Sequence, residues 1–295
     1  MKSSDPWALS FLELIRRAST DLPQEVERRL CALRDAEEPE SRAKWALETI
    51  LENIVLARVH TQPICQDTGT PLFFLRVPAG SDHLVLEEAI RAAVVQATRN
   101  GWLRQNAVDS VSGRAYADNI APGLPSIHIE QARIGSVEAR LVLKGGGCEN
   151  MGVQYSLPDT TLGAGRDLEG VRRCILDALV RAQGKGCAPG YLGVCIGGDR
   201  SDGMLEAKRQ FLRGLEDRAE DGELAALEAR VLNEAKELGI GPMGYGGRGT
   251  IMAVKIAALA RLPASCFVSI SYMCWACRRH GFSLRSDGTI ARWLP

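Results

Sequence analysis

The sequence predicts an α+β fold, a helical N-terminal region packed on a mixed α/β domain. Apolar residues recur at helical spacing through the first sixty positions. From Pro63 onward, short alternating or apolar runs read as strands. Three glycine clusters sit at the ends of those runs. The expected organisation is a helical region over 1–60 and an α+β domain over 61–295. No low-complexity linker divides them, so they read as one continuous domain over 1–295.

Trp7, Phe11, Leu12, Leu14 and Ile15 carry the first helical stripe. Asp21 and Pro23 mark a second helix start before Val26, Leu30 and Leu33, and Ser41–Arg58 carries a third helix through Trp45, Ala46, Ile50, Ile54 and Val55. Pro71–Val77 is a short apolar strand and Leu86–Arg99 a helix. Ser126–Glu130 and Val137–Leu143 alternate as strands do. Leu168–Gln183 is helical, Tyr191–Ile196 is a strand ending in Gly197-Gly198, and Gly203–Leu238 is charge-rich and helical. Ile251–Leu262 and Cys266–Met273 read as two further strands.

The 295 residues are 45% hydrophobic and 24% charged, as in globular proteins, which excludes a disordered or fibrous chain. Lys+Arg and Asp+Glu are both 36, so no basic excess points to nucleic acid. No apolar run reaches the roughly 18 residues of a membrane span. The start lacks the uninterrupted apolar core of a signal peptide, and a cytoplasmic location is expected. Nine cysteines, an odd number, argue against a disulfide framework in such a compartment.

Gly145-Gly146-Gly147 and Gly197-Gly198 follow strands, and the glycines of 239–247 precede one, where backbone N–H groups can approach a ligand. Gly239–Gly244 fits G-x-G-x-x-G but follows a helix and contains Pro242, so it is no dinucleotide fingerprint. Lys144 precedes its glycines and makes no Walker loop. Cys274-x-x-Cys277 is a single CxxC, half of what a structural zinc site requires. Cys65 is more informative, because Gln66, Asp67 and Thr68 follow it directly. Cys187 lies in a loop before a strand. The four histidines do not cluster.

Ile64-Cys65-Gln66-Asp67-Thr68-Gly69 resembles the signature of the iron–sulfur hydro-lyases, the class I fumarate hydratases and L(+)-tartrate dehydratases. Five further segments resemble family motifs in family order: 103–108, 144–151, 193–198, 239–242 and 274–279. Together they cover the chain from about residue 60 to residue 280, and the length matches the family's α subunit or the N-terminal part of its fused enzymes. The resemblance implies the α-subunit fold of class I fumarate hydratase and a [4Fe–4S] cluster on Cys65, Cys187 and Cys274. Cys266 is the rival for the third position. Cys148 would line the site, with Cys31, Cys174, Cys195 and Cys277 in the core. Three thiolates leave one iron open to act as a Lewis acid.

The resemblance also implies that Asp67 is the acid–base residue, with an Asx-turn role before Gly69 as the alternative. Gln66 and Arg104 would contact substrate carboxylates. Lys144 and Asn150 are further substrate contacts, Asp118-Asn119, near His128 in sequence, are candidates for the pocket lining, and Arg248, Arg278 and Arg279 are unassigned. The chain departs from the family at Ala188, where relatives carry a second proline, and at Met252 and Lys255, near a family histidine. A β subunit would complete the site in a hetero-oligomer, (αβ)2, acting on a small dicarboxylate. Glu149-Asn150-Met151 leans toward fumarases and Cys148 toward tartrate enzymes, and a methyl-substituted fumarate is a third option. The competing readings are a non-catalytic zinc or iron–sulfur protein using Cys274 and Cys277, and a regulatory subunit retaining the fold.

Overall fold

The computed structural model describes residues 5–294. It has the expected α+β character and divides into two compact units. The first comprises the chain up to Pro23, Glu52–Gly146 and the chain from Ala276. The second comprises Gln24–Leu51 and Gly147–Trp275. The helical stretch over 1–60 is therefore shared: α1 (Pro6–Thr20) belongs to the first unit and α2 (Gln24–Ala36) to the second, while α3 (Arg42–His60) crosses the division. Each helix follows the apolar surface that its own stripe can cover, rather than its neighbour in sequence.

In the first unit, β1 (Thr70–Val77), α4 (His83–Arg99) and β2 (Ser126–Gln131) form a strand–helix–strand crossover, and β1 and β2 pair in parallel. β3 (Glu138–Lys144), β8 (Arg279–Leu284) and β9 (Ile290–Leu294) extend the sheet antiparallel, in the order β2-β1-β3-β8-β9. Asp5 caps α1 by accepting from the Ala8 N–H, with Pro6 in the first turn. Asp82 caps α4 through the Leu84 and Val85 amides at 2.9 and 3.3 Å. Ala89, Ala93 and Ala97 recur every fourth residue of α4, and their small side chains let α1 pack closely on it. Phe11, Leu14 and Ile15 then meet Phe73, Leu141 and Phe282 in one dry core. The Phe11 ring lies edge-on to Phe73, centroids 6.0 Å apart, and 5.6 Å from Phe282.

In the second unit the sheet order is β4-β7-β5-β6: β4 (Val153–Ser156), β7 (Phe267–Met273), β5 (Gly190–Ile196) and β6 (Ile251–Ala258). The central β5 is buried nearly throughout, as its continuous apolar run requires. Short α5 (Gly146–Glu149) follows β3. α6 (Leu168–Ala182), α7 (Arg200–Arg209) and α8 (Gly222–Glu237) cover the sheet. The single helix expected over 203–238 is two. Asp199 caps α7 and Asp221 caps α8, and the intervening turn is held by Arg213 on Asp217 at 2.8 Å and on the buried Glu228 at 2.9 Å. The strand expected over 251–262 stops at Ala258, before the loop that contains Pro263.

The glycine-rich loop over 239–249 is fixed by Glu37, only 6% exposed. Its Oε1 accepts from the Arg248 and Gly249 N–H groups at 2.9 and 2.7 Å. A carboxylate from the residue just after α2 thus satisfies amides that glycines leave without side-chain cover.

Phe11→Ala removes a ring that is fully buried between α1 and the first sheet. It is expected to destabilise the first unit by about 3–5 kcal/mol, read as a lower denaturant midpoint in chemical unfolding.

Candidate active site

In the first unit the loop after α3 turns sharply into β1, and this turn carries Cys65, Gln66 and Asp67. Asn53 on α3 donates to the Ile64 carbonyl at 2.9 Å, and Ile64 N–H donates to the Ser19 carbonyl at 2.9 Å. The entry to the loop is therefore fixed from two helices. Asp67 is gripped at three points. Its Oδ1 accepts from Gly69 N–H at 3.0 Å, its Oδ2 accepts from Gly146 N–H at 2.7 Å, and its own carbonyl accepts from Arg278 Nη1 at 2.6 Å. The Asx turn and the aimed carboxylate are thus one arrangement: one oxygen closes the turn while the other faces the glycine loop after β3.

Thr68 extends the grip. Its fully buried hydroxyl oxygen accepts from Arg104 N–H at 2.9 Å and from Asn106 Nδ2 at 3.0 Å. Asn119 holds the same segment from the other side. Its Oδ1 accepts from the Asn106 and Ala107 amides at 2.9 and 3.0 Å, and its Nδ2 donates to Arg104 O at 2.7 Å and Thr98 Oγ1 at 3.0 Å. All four hydrogen-bonding positions of this buried amide are used. The Arg104 backbone is consequently fixed while its guanidinium stays exposed. Gln66 is exposed as well, and Lys144, at the end of β3, is 2% exposed.

Gly69 makes this packing possible. Its φ is +79°, and a Cβ built there would stand 2.8–2.9 Å from the Lys144 backbone atoms. No side chain fits that approach. Arg278, left unassigned by sequence reasoning, is 1% exposed. It binds Asp67 O through its side chain, and its carbonyl accepts from Leu143 N–H at 2.9 Å. Its position directly after the CxxC is the only sequence signal that could have singled it out.

The second unit carries Cys187, Cys274, Cys148 and Asn150. Cys187 takes a left-handed conformation, φ 55°, and its carbonyl accepts from Trp275 N–H at 3.1 Å, which ties the two cysteine loops together. The Tyr272 ring fills the space beneath Cys187. A Cβ at Gly186 or Gly190 would come within 2.5 or 2.4 Å of that ring. Burial first, then the nearby Cys274, Cys148 and Cys187 thiols, push the Tyr272 phenol above its ordinary range. Sequence reasoning passed over Tyr272 because it sits in an apolar strand, where a core aromatic is the ordinary expectation. Asn150 is exposed in the turn after α5, beside Glu149, which pairs with Lys208 at 2.5 Å.

The donor set suits an iron–sulfur group. All nine cysteines are thiols, and burial sorts them. Cys65, Cys187 and Cys274 are half-buried on loops, accessible to a bulky inorganic group. Cys148, Cys266 and Cys277 are buried, as are Cys174 and Cys195, whose thiols burial pushes up to about 12, whereas Cys31, expected in the core, is half-buried on α2. A thiol held protonated is a poor iron ligand. Among the described residues no three Cys, His, Asp or Glu side chains gather as a single-ion site requires.

Comparison with known proteins gives the lineage. The family described as fumarate hydratase (Fumerase) matches residues 9–283. A Geobacillus stearothermophilus protein named as a class I fumarate hydratase is 46% identical over 97% of the chain, which spans 56% of that relative's length. A Methanocaldococcus jannaschii protein named as an L(+)-tartrate dehydratase subunit alpha is 34% identical over 98% of the chain and its own entire length. The L(+)-tartrate dehydratase subunit alpha of Escherichia coli K12 is 30% identical over 92% of the chain and 88% of its own length.

Two glycines with the same backbone angle separate strain from crowding. Gly69→Ala is expected to lower the thermal midpoint well below that of Gly80→Ala, whose φ is +80° but whose added Cβ meets nothing within 4 Å. Equal midpoints in a melting comparison would remove the crowding argument. The matched span and these relatives, which cover almost all of the chain, make it a member of the class I fumarate hydratase family.

Proposed function

We propose that the chain is the α part of a [4Fe–4S]-dependent hydro-lyase. It would reversibly remove water from a four-carbon hydroxy-dicarboxylate, malate to fumarate or L-tartrate to oxaloacetate. The observation that carries this reading is the immobilised Asp67 carboxylate, two residues from the half-buried thiol of Cys65. Family membership supplies the reaction class. The higher identity to the relative named as a fumarate hydratase makes malate and fumarate the first pair to assay.

Cys65, Cys187 and Cys274 are the proposed cluster ligands. The burial of Cys266, 5% exposed, supports Cys274 over it. When bound, the cluster supplies a Lewis-acidic iron with an open coordination position for the substrate hydroxyl. Asp67 takes the proton from the carbon next to the carboxylate, and returns it in the reverse direction. Each of its oxygens accepts one backbone N–H, so each keeps a lone pair for that proton. Its three-point grip places the base before substrate arrives, so no side-chain entropy is lost in the reaction step.

Arg104 binds a substrate carboxylate through its exposed guanidinium, with Gln66 beside it donating from its amide. Lys144 contributes positive charge that favours the enolate-like dianion, and Asn150 offers a further amide to the substrate. A β subunit completes the site in an (αβ)2 assembly. The subunit names of the tartrate dehydratase relatives support this partner. Among the described residues no helix is long and apolar enough to cross a membrane, and a reducing cytoplasmic setting would keep the thiols available.

Iron and acid-labile sulfide per chain after anaerobic purification test the reading. About four of each are expected in the wild type and a loss of both in Cys65→Ser. Zinc in their place, or no metal under reconstituting conditions, would overturn it. Asp67→Asn is expected to keep the iron and lower kcat by about 10²–10⁴-fold in the assembled enzyme, measured with malate and with L-tartrate.

A further inference from the structure

Tyr272 stands out among the buried polar groups that the proposed reaction does not use. The residue is 3% exposed, and its ring packs tightly against the loop that carries Cys187. A buried tyrosine needs a partner for its O–H. The ring is held from three directions. Its strand β7 is paired with β5, Tyr272 opposite Leu192. Gly186 and Gly190 press on the ring from the two sides of the Cys187 loop, and a Cβ at Gly190 would lie 2.4 Å from the hydroxyl oxygen itself. Two residues further on the chain reaches Cys274, and Trp275 N–H binds the carbonyl of Cys187. The phenol therefore has one rigid placement, in a neighbourhood it shares with the Cys274, Cys148 and Cys187 thiols.

We propose that Tyr272 is a positioning residue that donates its O–H to a sulfur atom of the bound iron–sulfur cluster, either a ligand thiolate or a core sulfide. The proposal rests on the cluster reading above. Two glycines flanking Cys187 fit it well, because any side chain at Gly186 or Gly190 would displace the ring. A hydrogen bond to cluster sulfur stabilises the more electron-rich, reduced state and raises the reduction potential. It also fixes the ligand's orientation, as outer partners do at other metal centres. Phenylalanine at 272 would keep the ring and its packing and remove only the donor.

The test compares the anaerobically reconstituted full chain in wild type and Y272F. Both are expected to carry the same iron and sulfide, and their cluster-free forms to melt together. In Y272F the reduction potential moves downward and the cluster loses iron to a chelator about tenfold faster. Iron–sulfur stretching bands in the resonance Raman spectrum shift between H2O and D2O in the wild type, and less in the variant. Site-specific fluorotyrosine at 272 keeps the ring and strengthens the donor, so it moves the potential the other way; this arm stands even where Y272F folds poorly. Equal potentials, iron-loss rates and isotope shifts in the three proteins would overturn the role of Tyr272 while leaving the cluster in place. A wild type that takes up no iron and sulfide would overturn both readings.

Discussion

The site in the first unit depends on how closely the loop over 65–69 lies against the end of β3. At Gly69 the two backbones are too close for any Cβ. That closeness brings Gly146 N–H to Asp67 Oδ2, and the buried Arg278 binds the same residue's carbonyl. The arrangement is a constraint more than a source of stability. An aspartate in an open loop samples several rotamers, whereas two backbone amides from different segments leave Asp67 one orientation. Each of those amides is neutral and fixed, so backbone donors position the carboxylate, which suits the proton transfer proposed for it.

The neighbouring segment follows the same rule of fixed backbone and exposed head group. Thr68 and Asn119 together satisfy the amides and a carbonyl over 104–107, so the chain there is held by buried side chains rather than by a helix or strand. Arg104 thereby projects its guanidinium from an immobile backbone. A long cation on a mobile loop would lose more rotamer freedom on binding a carboxylate than one whose Cα is already fixed.

Much of this was legible in the sequence, for identifiable reasons. Helices α1, α4 and α6 announce themselves through apolar periodicity, and β5 through an unbroken apolar run. Strand β8 did not, because Arg279 and His280 interrupt its apolar pattern; where they pair with β3, Arg279 is buried and His280 half-buried. The break between α7 and α8 was hidden because charged residues that normally coat a helix here tie a turn, with Arg213 joining Asp217 to Glu228. In the site, Cys65 and Asp67 stood out as polar neighbours in one short motif. Asn119, Arg278 and Glu37 act on backbone groups far away in sequence, at spacings such as Glu37 to Gly249 that no local pattern encodes. Residues that do chemistry leave motifs, whereas residues that hold them in place are found only once the chain is folded.

The cysteines show the same separation by environment. Burial drives Cys174 and Cys195 toward the protonated thiol, since a thiolate there would lose its hydration with no cation to replace it. Cys65, Cys187 and Cys274 lie on loops and are only half-buried, so their sulfurs stay accessible, as the proposed ligand role requires. The backbone around them is nonetheless fixed: Ile64 binds Ser19, and Cys187 binds Trp275. Rigid backbone with accessible sulfur is the combination a catalytic cluster needs. Mobile ligands would release iron too easily, and sealed ones would keep substrate from the open iron.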